Sequence, residues 1–187
     1  MKKNIILTTI LVFILLACSD DEDPKGPLPS EFGKATLVLN DKPLEFTVSA
    51  RGWQCNSENL EISLNQSSAN LERGTSFFVG NIPAKEGRYT LRRGDTNSGE
   101  CELDIPFGSA LTYSGATLVM LYEILEDKGP NELVITRYDS AAQRLEGRFQ
   151  VALAVEDTLS PFSKRERLDT LRITQGTFVT PISPPEE

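Results

Sequence analysis

Three cysteines, one tryptophan and a surplus of carboxylates are the side chains of this 187-residue chain with the means to react, ligate or stack. Histidine is absent. That removes Ser-His-Asp and Cys-His nucleophilic catalysis, His-ligated zinc and haem, and the ordinary neutral-pH proton shuttle. The 27 acidic residues outnumber the 19 basic ones, for a net charge of −8. Nucleic acid is not an expected partner, because a phosphate backbone needs clustered Lys and Arg. Paired carboxylates would serve a glycan hydrolase, which sets two of them roughly 5–9 Å apart. With so many acids the sequence singles out no pair. No G-x-S-x-G, S-x-x-K, Walker or G-x-G-x-x-G pattern occurs. No catalytic residue, metal ligand or cofactor is assigned, and the chain is not expected to be an enzyme.

Cys55 and Cys101 form an even pair once Cys18 is set aside, and in an oxidising compartment the simplest outcome is a disulfide. The alternative is two reduced thiols. Their spacing gives neither a C-x-x-C redox motif nor, without histidine, a zinc set. Asp95-Thr96-Asn97-Ser98-Gly99-Glu100 is oxygen-rich but lacks the sixth-position glycine and closing glutamate of a calcium loop, and reads as a polar hairpin loop. Trp53, with Arg51 beside it in a polar segment, is the candidate ligand-binding aromatic, since an exposed ring can stack on a sugar or anchor a partner. A lone Trp in a β-protein more often belongs to the core, and the sequence leaves both readings open.

The N-terminus addresses location. Met1-Lys2-Lys3-Asn4 is a short positive segment, followed by an apolar run from Ile5 to Ala17. Thirteen residues fall short of the ~20 that span a bilayer, so the run reads as the apolar region of a signal peptide. Leu15-Leu16-Ala17-Cys18 resembles the bacterial lipobox, and this resemblance implies that Cys18 carries a lipid anchor. The acidic run that follows, Ser19, Asp20, Asp21 and Glu22, resembles the export signal of Bacteroidota-type surface lipoproteins. It implies the outer face of the outer membrane, with the periplasmic face as the alternative. Covalent acyl chains hold a protein at a membrane without spanning it.

Four segments are expected: a signal peptide over 1–17, a lipidated cysteine and flexible acidic, Pro-rich tether over 18–33, a β domain over 34–180, and a disordered tail over 181–187. Within the domain, 44–48 and 60–64 alternate apolar and polar residues, the signature of half-buried strands. Asn40-Asp41-Lys42-Pro43 between the first two strands is a hairpin signal. Further strands are expected at 36–39, 75–82, 89–91, 101–105, 132–138, 144–155, 169–173 and 177–179. The run 117–125 is continuously apolar enough for a strand buried on both faces. About ten short strands without a helical period give an all-β fold, a single antiparallel β-sandwich with a β-barrel as the alternative.

The C-terminal third carries a second resemblance. Leu133-Val134-Ile135-Thr136-Arg137-Tyr138-Asp139, Leu145-Glu146-Gly147-Arg148-Phe149 and Ile173-Thr174-Gln175-Gly176-Thr177-Phe178 are similar to the I-x-x-Y-D, I-x-G-x-F and I-T-x-G-x-F segments of an uncharacterised domain family of Bacteroidota lipoproteins. Glu86-Gly87-Arg88-Tyr89-Thr90-Leu91 is similar to that family's G-x-Y-x-L segment. The resemblance implies a β-fold and a surface lipoprotein, with no activity attached. Physically, Gly147 and Gly176 each fit a bend or bulge ahead of an aromatic core residue. Asp139-Ser140-Ala141, Asp157-Thr158-Leu159 and Asp169-Thr170-Leu171 resemble the O-glycosylation acceptor of the same bacterial group, implying modification at Ser140, Thr158 and Thr170. The same tripeptides are also ordinary turn chemistry. The functional expectation is a non-catalytic module, anchored to the membrane by lipid, that binds glycan or an envelope partner. The alternatives are a structural component of an envelope assembly and a carboxylate-dependent glycan hydrolase.

Overall fold

The computed structural model describes residues 32–66, 74–94, 105–114, 117–158 and 169–183, all within the unit Glu31–Glu187. Among the described residues there are ten β-strands and no helix. They are β1 (Gly33–Leu39), β2 (Lys42–Trp53), β3 (Asn56–Asn65), β4 (Gly74–Pro83), β5 (Gly87–Thr90), β6 (Phe107–Ser114), β7 (Thr117–Ile124), β8 (Glu132–Asp139), β9 (Arg144–Thr158) and β10 (Thr170–Ser183). The all-β expectation holds.

The ten strands belong to one sheet. Its pairings run full circle: β1 pairs with β2, then β3, β4, β6, β7, β9 and β10 follow in turn, and β10 returns to β1. All of these pairs are antiparallel, so the closed ring protects its own edges. The closure belongs to one continuous, curled sheet. β9 is long enough to serve two partners on one side, β8 along Arg144–Gln150 and β7 along Leu153–Thr158. β8 and β5 extend beyond the ring as a flap, with β5 at its edge.

Local chemistry sets these pairings. Asn40 and Asp41 both have positive φ, 46° and 66°, the backbone of a tight hairpin turn that keeps Leu39 opposite Lys42. Along β2, Phe46, Val48 and Ala50 turn inward while the residues between them face outward. β10 joins two expected strands into one. An extra residue between Ile173 and Gly176, with Gln175 at φ 53°, throws both neighbouring strands out of step by one. β10 also continues through Ser183, where Ile182 and Ser183 pair in parallel with Ala50 and Arg51. The first three residues of the expected tail are therefore strand, because β9 offers a partner to Pro181 and β2 offers partners to Ile182 and Ser183. Likewise Gly33, expected as tether, begins β1 opposite Val48.

Inside the ring, Phe77 of β4 stacks on Phe149 of β9 at 5.5 Å, and Phe149 meets Phe178 of β10 at 6.3 Å. Val48, Ile62, Leu64, Leu145 and Leu153 from the ring and Ile135 from β8 complete a continuous apolar core. Eight strands enclose a space that side chains can fill, and here aromatic rings reach across it. β6 has no counterpart in the sequence pattern. Its inward residues, Gly108 and Ala110, are small because Phe77 and Ile124 occupy the space, so the alternation of apolar bulk is missing. The strand expected over 101–105 lies outside the described residues except for Ile105, which is not in a strand.

Candidate functional site

The candidate ligand-binding aromatic is not available to a ligand. Trp53 is only 3% exposed, edge-on to Phe107 at 5.7 Å and tilted against Phe78 at 6.1 Å. Phe77 and Phe78 point to opposite faces, so this trio packs on the outside of the sheet while Phe77 lies within. Gly80 makes room for it: a side chain there would begin 2.6 Å from the Phe107 ring. The polar neighbours of Trp53 in sequence hide a site where a second, outer apolar cluster forms. Arg51 gives its Nε to the carboxylate of Glu61, which is itself buried, so the pair is a structural tie between β2 and β3.

The lipidation and export residues, Cys18, Ser19, Asp20, Asp21 and Glu22, lie outside the described residues, as do Cys101 and the oxygen-rich loop 95–100. Cys55 lies in the β2–β3 turn, two residues after Trp53. Of the proposed acceptors, Ser140 is exposed in the β8–β9 turn, where Asp139 accepts the Ala142 amide at 2.9 Å. That bond, with help from Arg137, holds the Asp139 carboxyl below the usual carboxylate range. Thr170 is exposed at the start of β10, and Thr158 ends β9.

Polar groups converge elsewhere, around residues 88–94 and the β7–β8 connection. The segment after β5 is anchored at both ends. The Leu91 amide donates to the Asn131 carbonyl at 2.9 Å; the Arg92 amide donates to Pro106, and the Arg92 carbonyl accepts from Gly108. Asn131 is the staple beneath it. Its buried side-chain amide donates to the Leu125 carbonyl at 2.6 Å and accepts from the Ala152 amide at 2.9 Å, tying the connection to β9. Between these walls lies a shallow pocket of about 160 Å³, lined among others by Thr90, Arg92, Glu126, Pro130, Asn131 and Glu132.

Charges of both signs surround the pocket. Arg88 pairs with Glu132 across β5 and β8, and Arg93 pairs with Glu156 of β9. Arg92 and Glu126 stand 3.8 Å apart, both about half exposed, while the Arg93 amide approaches Glu126 at 3.3 Å. At the end of the segment, Glu123 of β7 is 5% exposed, and its Oε2 has no hydrogen-bond partner among the described residues. Burial pushes the Glu123 carboxyl above the usual range; the Arg93 charge and the Gly94 amide oppose this in part, and Glu156 adds to it. Among the described residues, no three acidic or cysteine side chains converge as a metal set.

None of these residues stands out by motif. One signal was present: Glu123 is the sole charge in the otherwise uncharged run 117–125. A charge in a strand buried on both faces needs a specific environment. Arg92 and Glu126 carry no comparable signal, because they meet only through the fold. The chain matches no family model, no curated protein and no solved structure.

Proposed function

We propose that this chain is a lipid-anchored lipoprotein of the Bacteroidota type, displayed on the outer face of the outer membrane, whose β domain binds glycan without turning it over. The observation that carries the reading is the loosely paired Arg92 and Glu126 at the pocket. Each retains hydrogen-bonding capacity, and together they match the mixed donor and acceptor character of vicinal hydroxyls. The packed interior supports it further, because ligand is then met on the outer surface and not inside the ring. The resemblance of residues 15–22 to a lipobox and export signal supplies the location. A bridge between Cys55 and Cys101 is part of the same reading, since an exported domain folds where thiols oxidise.

A glycan array probed with the mature, unlipidated chain tests the function. Retention that is lost in Arg92→Ala and Glu126→Gln, with circular dichroism unchanged, supports it. No retained glycan, or retention indifferent to both substitutions, overturns it. Turnover of any polysaccharide by the purified chain overturns the non-catalytic part. Protease shaving of intact cells tests the location, with Cys18→Ala and alanine replacement of Asp20 to Asp23 expected to abolish surface cleavage.

A further inference from the structure

Glu123 has no role in the recognition chemistry above, yet its position demands an explanation. A carboxyl oxygen removed from water without a partner is costly, and much more so when it carries charge. The groups that bear on it among the described residues are few. From the covering segment come the Arg93 side chain and the Gly94 amide; from β9 comes Glu156. From β6, Phe107 and Ser109 add no charge. Arg93, the one cation, is paired with Glu156, so it does not neutralise Glu123 by direct contact. The space above is tight: a side chain on Gly94 would begin 3.3 Å from the Phe107 ring and 3.9 Å from Glu123 Oε2.

We propose that Glu123 is a proton-operated latch beneath the segment that borders the pocket: protonated, it lets Arg93 and Gly94 close over it; ionised, it favours their release. The coupling is short and continuous. Gly94 rests on Glu123, the Arg93 amide reaches Glu126, Arg92 lines the pocket, and Leu91 is bonded to Asn131. An ionised Glu123 gains by admitting water, and water enters only if Gly94 and Arg93 move away. Moving them breaks the contact of the Arg93 amide with Glu126 and frees that carboxylate at the pocket, while the Arg92 backbone stays held by Pro106 and Gly108. Glycan affinity therefore falls as pH rises, a consequence that rests on the proposed function; the motion itself does not.

The sign follows from linkage. A carboxyl that holds its proton more tightly in the closed state stabilises that state at low pH, and the advantage is lost as pH rises through its raised value. The test reads the segment in the full mature chain without ligand: ¹³C titration of the Glu123 carboxyl, and hydrogen-exchange protection of the Arg93 and Gly94 amides, from about pH 4 to about pH 8. Between the ordinary carboxylate range of the open state and the raised value of the closed state, each pH unit should cut protection by up to about tenfold, with a plateau above. Glu123→Gln should remove that dependence, while the Val151 amide in β9 stays protected in both. Glu156→Gln, which removes the like charge and releases Arg93, should move the transition to lower pH and serves if Glu123→Gln does not fold. Titration of Glu123 in the ordinary carboxylate range, flat protection, or a transition indifferent to Glu156→Gln each overturn the latch. If the segment opens as described but no glycan binds at any pH, the recognition reading falls and the latch stands.

Discussion

The ring of Phe178 lies over Gly147 of the facing strand, within 2.6 Å of where a side chain on that glycine would begin. The relationship is reciprocal: Gly147 pairs with Phe178 and Gly176 with Phe149, so each of the two G-x-F segments supplies the glycine that the other's ring covers. The two motifs are one interlocked feature of the β9–β10 pair. Aromatic cover restores to a strand glycine the packing it lacks.

Gly147→Ala and Gly176→Ala should both destabilise, and unequally. At Gly176 the nearest atoms to the new methyl are all in the ring of Phe149, which can tilt. At Gly147 it meets the Phe178 ring and also the Val134 carbonyl at 2.7 Å, which belongs to the backbone of β8. Overpacking typically costs about 1–3 kcal/mol. Gly147→Ala should lie at the upper end and Gly176→Ala at the lower. Urea unfolding of the two variants checks the order, and equal losses would contradict the backbone argument.

Trp53 is the chain's sole tryptophan, so its fluorescence reports the outer aromatic cluster alone. Emission should be blue-shifted and resistant to iodide in the native state. Trp53→Ala should cost about 3–5 kcal/mol by emptying a packed site. Glycan retention by a folded Trp53→Ala variant should persist. Red-shifted, readily quenched emission would show the ring to be exposed.

The strand content was legible because β2 and β3 alternate large apolar and polar residues, and because Asn40-Asp41 suits a turn with positive φ. β6 was not legible. Its inward positions are Gly108 and Ala110, sized to the ring of Phe77 on a strand about 30 residues away in sequence. Trp53 misled for a related reason. Arg51, Gly52 and Gln54 make its surroundings look wet, whereas its partners Phe78 and Phe107 arrive from other strands. The pocket was hidden because Arg92 follows β5 whereas Glu126 and Asn131 belong to the β7–β8 connection, and only the fold brings the two connections together.

Cys55 and Cys101 should be joined in the mature protein. Closing the chain between them contributes roughly 4 kcal/mol in the chain-entropy account. The bridge would hold the connection between β5 and β6 to the β2–β3 turn, next to Trp53. Mass analysis after alkylation without reductant should find neither cysteine modified, and two alkylated cysteines would defeat the prediction. Reduction should lower the melting temperature and weaken protection of the Trp53 indole.

Asn131 and Glu132 are neighbours that should separate stability from recognition. Asn131 is buried, and its side chain serves the Leu125 carbonyl and the Ala152 amide at once. Asn131→Ala leaves both without their partner, and each buried polar group so abandoned costs about 1–3 kcal/mol. A total loss of roughly 2–4 kcal/mol is expected, seen as a lower urea midpoint with unchanged slope. Glu132 faces the pocket and pairs with Arg88, whose side chain is largely exposed. An ion pair of this kind is worth about 0–1 kcal/mol, so Glu132→Gln should leave the midpoint nearly unmoved. Its effect should appear in glycan retention, because it removes an acceptor from the pocket wall. If Glu132→Gln destabilises as much as Asn131→Ala, the pair is structural, and the pocket loses one of the groups proposed to read a ligand.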